Sequence, residues 1–206
     1  VEEALMARNS RYSTPFRRRR SGKTDYKARK ALVISGKPRL VARASIKNAL
    51  AQIVVAKPAG DEVLVSAHSR ELIKKYNWKA PIGNLPSAYL TGFLCGLKAK
   101  SGGIEEANLD IGLHAPTQGA QVFAILKGVL DAGMDVSHSE EKLPDEKRVT
   151  GQHIADYAKS LAANAEEYQA KFSKYLDKKL APEELPKHFA EVKTNVAASF
   201  SGGKKE

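Results

Sequence analysis

The chain has 206 residues, a hydrophobic share of 42% and a formal net charge of +11. That length and apolar content exclude global disorder and suffice for one core with an appendage. The charge points to a polyanionic partner. The single cysteine, Cys95, excludes an intrachain disulfide and a thiolate metal cluster, and no apolar run approaches the ~18 residues of a membrane span, so a soluble cytoplasmic protein is expected.

The basic excess is concentrated. Residues 1–40 carry twelve basic and three acidic side chains, and the remainder twenty-two against twenty. The N-terminal stretch 1–38 is polar, with Tyr12, Phe16 and Tyr26 interleaved among arginines. It reads as a basic arm, at most partly helical and mobile when free, because its charges repel and it has little apolar surface to bury.

Period-two patterning begins at Arg39. In RLVARASIK, Leu40, Ala42, Ala44 and Ile46 share one face, and Arg39, Val41, Arg43, Ser45 and Lys47 the other. This predicts a strand with one buried and one basic face. Ala51–Lys57 and Glu62–Ser66 read as a hairpin closed at Pro58-Ala59-Gly60-Asp61, with a tight turn near Lys47-Asn48 before it. Ser69–Tyr76 reads as a short helix. Ser87–Lys100 reads as a longer one, with Gly92 and Gly96 spaced to let it lie close to a sheet. Asn108–Ala115 is a fourth strand, and Gly119–Gly133 an amphipathic helix stopped by its glycine.

A polar loop, SHSEEKLPDEKRVTG, precedes two long amphipathic helices. The first carries its stripe from Ile154 to Tyr175, and the second starts at Pro182 with Leu185, Phe189, Val192, Val196 and Phe200 on one face. The expected fold is α/β: a mixed, mostly antiparallel sheet covered by helices, with a basic N-terminal arm and a C-terminal helical hairpin packed on the body or on a partner. The expected divisions are 1–38 for the arm, 39–150 for the α/β body and 151–206 for the C-terminal extension.

Ser21-Gly22-Lys23-Thr24 is how a phosphate-binding loop ends. The first glycine of that motif would fall on Arg17, and no strand pattern precedes it. The five histidines show no paired metal-ligand spacing, and no metal or cofactor is expected. Cys95 reads as a small buried residue. Asp110 is a lone acid on a strand, whereas a two-metal nuclease needs carboxylates gathered around ions about 3.5–4 Å apart. Arginines that neutralise phosphates, interleaved with rings that stack on bases, fit RNA better. No recognition helix or zinc finger that would read a DNA major groove is evident.

RYSTPFRRRRSGKTDYKARK followed by RLVARASIKNALAQIV resembles the ribosomal large-subunit protein family that binds 5S ribosomal RNA. AYLTGFL, LDIGL, VFAILKGVLDAGMDVSHSE and GQHIADYA continue the resemblance in order, over roughly Arg8 to Ala158. Length and the C-terminal helices resemble the archaeal branch. The resemblance implies a non-enzymatic structural protein that clamps 5S ribosomal RNA in the central protuberance, next to large-subunit ribosomal RNA and neighbouring ribosomal proteins. By position the clamp is Arg11, Tyr12, Phe16, Arg17, Arg18, Arg19, Arg20, Lys23, Thr24, Tyr26, Arg29 and Lys30, with sheet contacts from Arg43, Ser45 and Lys47. Relatives often have asparagine where this chain has Ile46, which removes a side-chain amide there. The rival readings are a basic ribosome-assembly or RNA-adaptor protein and, more remotely, a nuclease-like enzyme built on Asp110.

Overall fold

The structure, a computed structural model, describes residues 11–201. The first ten residues of the arm lie outside the described residues, as does all but Ser201 of the tail SGGKKE, whose sequence reads as frayed. The described residues open with two helices, α1 (Arg17–Arg20) and α2 (Tyr26–Ile34), so the arm from Arg17 onward is largely helical. Three strands follow: β1 (Arg39–Ala44), β2 (Ala49–Lys57) and β3 (Gly60–His68). Next come α3 (Ser69–Tyr76), α4 (Leu85–Ser101), β4 (Glu106–Asp110), α5 (Gln121–Asp131) and a two-residue β5 (Asp135–Val136). The chain ends with α6 (Glu146–Val149), α7 (Gln152–Leu161), α8 (Ala165–Leu176) and α9 (Leu185–Ser201).

The sheet order is β3-β2-β1-β4-β5. β1 pairs antiparallel with β2 and β2 with β3, whereas β4 adds parallel to β1 and β5 parallel to β4. The α/β class and the mixed sheet are thus as expected. The parallel additions follow from helical crossovers, which short turns cannot replace.

Each sheet face has its own chemistry. Leu40 and Ala42 of β1 and Ala49, Ala51 and Ile53 of β2 point inward and are buried. Arg39, Val41 and Arg43 point the other way, toward the arm. The pairing of β2 with β3 slips by one residue after Ile53, because Ile53 opposes Val65 whereas Val54 opposes Val63. This bulge leaves Leu64 unopposed. It also turns Val63 and Asp61 onto the arm face, since a one-residue slip exchanges the faces of everything beyond it.

α4 and α5 cover the inner face. α4 is buried nearly all round, because it lies between the sheet, α5 and α9. Asn84 caps it, its Oδ1 accepting from Ser87 N at 3.0 Å. The glycines of α4 face α5 rather than the sheet, which corrects their expected role. A Cβ on Gly92 would strike the Ile125 carbonyl, one on Gly128 the Tyr89 carbonyl, and one on Gly96 would lie 2.6 Å from Ala132 Cβ. Two helix backbones therefore touch where three side chains are absent. Cys95 is fully buried in α4, and burial pushes its thiol up to about 12.

The C-terminal stripe packs on the body. Leu185, Phe189, Val192 and Val196 of α9 are buried, with the Phe189 ring 5.5 Å from that of Tyr89 on α4 and His188 stacked 5.1 Å from Trp78. The helix expected through Tyr175 divides at 162–164 into α7 and α8, with Asn164 at φ −116°, ψ 85° where the second begins. The stripe survives this break, as Ala158, Phe172 and Tyr175 are all buried. Part of the expected polar loop is also structured, as a 3₁₀ turn at Glu140–Lys142 and α6.

Candidate RNA interface

The arm folds back on itself before it meets the sheet. Asp25 caps α2, its carboxylate accepting from Lys27 N at 2.9 Å and Ala28 N at 3.2 Å. Gly22 takes φ +61° in the turn between the helices, a conformation open to glycine. Arg18 Nε then reaches Thr24 Oγ1 at 2.8 Å, and the Phe16 and Tyr26 rings meet at 5.1 Å. Ser21-Gly22-Lys23-Thr24 thus lies between two helices, without the preceding strand that a phosphate-binding loop requires.

No residue of α1 is buried. Among the described residues, no carboxylate lies within ion-pair distance of Arg17, Arg18, Arg19, Arg20, Lys23 or Lys30. Phe16 is 71% exposed and Tyr12 39%. Uncompensated cations and open rings therefore share one short segment.

The sheet arginines behave differently. Arg29 of α2 holds Asp61 with both branches of its guanidinium, Nη1 to Oδ2 at 2.9 Å and Nη2 to Oδ1 at 2.6 Å. Arg39 Nη2 reaches the same carboxylate at 2.8 Å, and Arg39 Nη1 reaches Asp110 at 2.9 Å. Arg43 Nη2 closes on the other Asp110 oxygen at 3.0 Å, and its Nη1 donates to the Asp110 carbonyl at 2.6 Å. The result is an alternating ladder, Arg29–Asp61–Arg39–Asp110–Arg43, laid across the arm face of the sheet.

This ladder corrects the expected basic strand face. Arg39 is only 3% exposed, and its Nε is buried without a hydrogen-bond partner. Such a charge is tolerated inside because two carboxylates flank it. Ser45 and Lys47 lie beyond β1, in the exposed turn to β2, so they form a rim rather than a strand face. The Ser45 oxygen accepts from Asn48 N at 3.1 Å and donates to Asn48 O at 2.9 Å, which commits it to the turn. Ile46 is 95% exposed at the tip of that turn.

Asp110 is held from three sides. It takes two arginines and the Gly112 amide, the last at 2.9 Å, and is 8% exposed. Gly112 sits at φ +64°, where a Cβ would press within 3.0 Å of the Arg43 guanidinium. That turn ends β4 at Asp110, shorter than the expected strand through Ala115. Asp110→Asn should cost about 3 kcal/mol, because it leaves Arg39 buried beside one carboxylate instead of two. Urea unfolding checks this, and a loss under 1 kcal/mol would contradict it.

The guanidinium of Arg29, with help from that of Arg39, holds the Asp61 carboxyl at about 2, below its ordinary 3.8. A depressed carboxyl stabilises the fold above its unfolded value. This contribution is complete above about pH 4 and is lost only as pH falls through about 2.

Between α2 and the sheet runs a groove of about 1140 Å³, floored by Val41, Val54 and Val63 and edged by Arg18, Lys23 and Arg43. The sequence reading placed the cations here but missed both partner carboxylates. Asp61 looked like a turn residue, and nothing local pairs it with an arginine 32 positions earlier.

The model of a family described as ribosomal large subunit proteins 60S L5 and 50S L18 matches residues 10–106 and 98–139. The chain belongs to this family. It is a protein of the large ribosomal subunit, and membership places it among structural components of a ribonucleoprotein. The matched stretch takes in the arm from residue 10 onward, β1 to β5 and α3 to α5, so it contains the groove and the whole ladder. The helices α6 to α9 lie beyond it. Among the described residues, no helix of this ribosomal protein is long and apolar enough to cross a membrane.

Proposed function

We propose that this ribosomal protein binds 5S ribosomal RNA and helps anchor it in the central protuberance of the large subunit. The observation that carries the reading is the row of cations on α1 and the following turn, which have no ion-pair partner among the described residues and are flanked by open aromatic rings. Cations that no carboxylate neutralises exchange counterions for phosphates, and rings beside them stack on unpaired bases. The contact set is Arg11, Tyr12, Phe16, Arg17, Arg18, Arg19, Arg20, Lys23, Thr24, Tyr26 and Lys30 from the arm, with Arg43, Ser45 and Lys47 at the sheet rim. Arg29 belongs to the set as well and, like Arg43, enters it with its guanidinium already shared with a carboxylate. Large-subunit ribosomal RNA and adjacent ribosomal proteins complete the surroundings, in a cytoplasmic ribosome.

The family membership and the continuity of cations from α1 to the β1–β2 turn support this reading. A filter-binding titration against 5S ribosomal RNA, with transfer RNA as competitor over a salt series, tests it. Binding that survives the competitor is the expected result. Equal, steeply salt-sensitive binding to both RNAs would reduce the arm to a generic polycation and favour an assembly or adaptor role.

A further inference from the structure

We infer that Asp61 is a positioning residue that latches helix α2 onto the sheet, so that the arm meets its RNA already in place. The inference rests on the RNA-binding reading above and deepens it.

Among the described residues, α2 has no other strong hold. None of its residues is fully buried, and Val33 and Ile34 are exposed, so apolar packing ties it weakly. Just beyond its end, Asn108 Nδ2 donates to Ser35 Oγ at 2.8 Å, Asn108 N donates to Pro38 O at 2.8 Å and the exposed Lys37 pairs with Glu106, but the contact made from the helix itself is the bidentate pair with Asp61. A single exposed ion pair contributes little. This one differs in two respects. It is a two-pronged fork, which fixes direction as well as distance. Its carboxylate is also held from below by Arg39, which is buried and anchored in turn by Asp110. The latch is therefore seated in the sheet. The bulge after Ile53 makes this possible, because without it Asp61 would fall on the core face.

The consequence runs against simple electrostatics. Removing a carboxylate beside a basic arm raises the net positive charge, which by itself tightens RNA binding and steepens its salt dependence. A latch predicts the opposite sign for affinity. Without Asp61 the helix must be ordered at the moment of binding, and that entropy is lost from the affinity.

The test uses the full chain with two substitutions, Asp61→Asn and Arg29→Lys. The second keeps the charge and loses the fork. Hydrogen exchange of the free protein reads the latch without RNA. The α2 amides should exchange about tenfold faster in both variants, with the amides of β1 and β2 unchanged. In filter binding at one moderate salt concentration, Asp61→Asn should hold 5S ribosomal RNA several-fold more weakly, despite its added positive charge. Unchanged α2 exchange in Arg29→Lys overturns the latch, even if Asp61→Asn also loosens the sheet. Tighter binding by Asp61→Asn overturns it too, and would make Asp61 a mere counter-charge. If the wild-type protein fails to prefer 5S ribosomal RNA, the proposed function falls while the exchange result still decides the latch.

Discussion

Replacing Arg17, Arg18, Arg19 and Arg20 together with alanine should weaken binding to 5S ribosomal RNA on the order of a hundredfold or more at moderate salt. The dependence of log affinity on log salt should also flatten, by about 0.7–0.9 for every phosphate no longer neutralised. The size follows from the state of these side chains. All four are exposed, none has an ion-pair partner among the described residues, and α1 contributes no buried residue. Their charge is therefore fully available, and little of the fold depends on it. Stability should stay within about 0.5 kcal/mol of the wild type, as for surface substitutions generally. A salt series on the variant separates the outcomes. Weaker binding with an unaltered slope would mean that the arginines order the arm instead of meeting phosphates.

The second large effect lies in the body. Gly92→Ala should destabilise the protein by about 3 kcal/mol, seen as a fall in the urea midpoint. Helix propensity alone argues the reverse, since alanine in mid-helix is favoured over glycine by roughly 1 kcal/mol. The sign is decided by what the new methyl meets. It would strike the Ile125 carbonyl on α5, and a backbone inside a helix cannot turn aside as a flexible side chain does. Gly128→Ala, on the opposite helix, meets the Tyr89 carbonyl and should behave alike. A neutral result for either would mean that α4 and α5 are not packed backbone to backbone.

These two substitutions differ in how far the sequence made them legible. The arginine row is visible in the chain as four consecutive letters, and its exposure follows from the absence of apolar periodicity around it. The glycines are equally visible, and their four-residue spacing signals close packing. Their partner was misread as the sheet, because spacing on one helix states that something approaches closely and not what. Arg39 was misread for a related reason. Alternation placed it correctly on the face opposite Leu40, but alternation cannot tell a solvated face from one roofed by another part of the chain.

What the sequence by itself determined were the features set by neighbours within a few residues. α3 runs from Ser69 to Tyr76 as its pattern and its cap indicate, with His68 Nδ1 accepting from Arg70 N and Glu71 reaching back to His68 N. The β2–β3 hairpin, the apolar stripe of α9 and the basic character of the arm are of the same kind. Tertiary structure alone decided the ladder from Arg29 to Arg43, whose carboxylates come from the start of β3 and from the end of β4, 71 positions beyond Arg39. It also decided the two-residue β5, too short to carry a period, and the seating of α9 on α4. The reason is physical. Periodicity and capping are local and act through one or two turns of chain, whereas an ion pair or a helix crossing depends on strand order and on a one-residue slip in register, which exist only once distant segments have met.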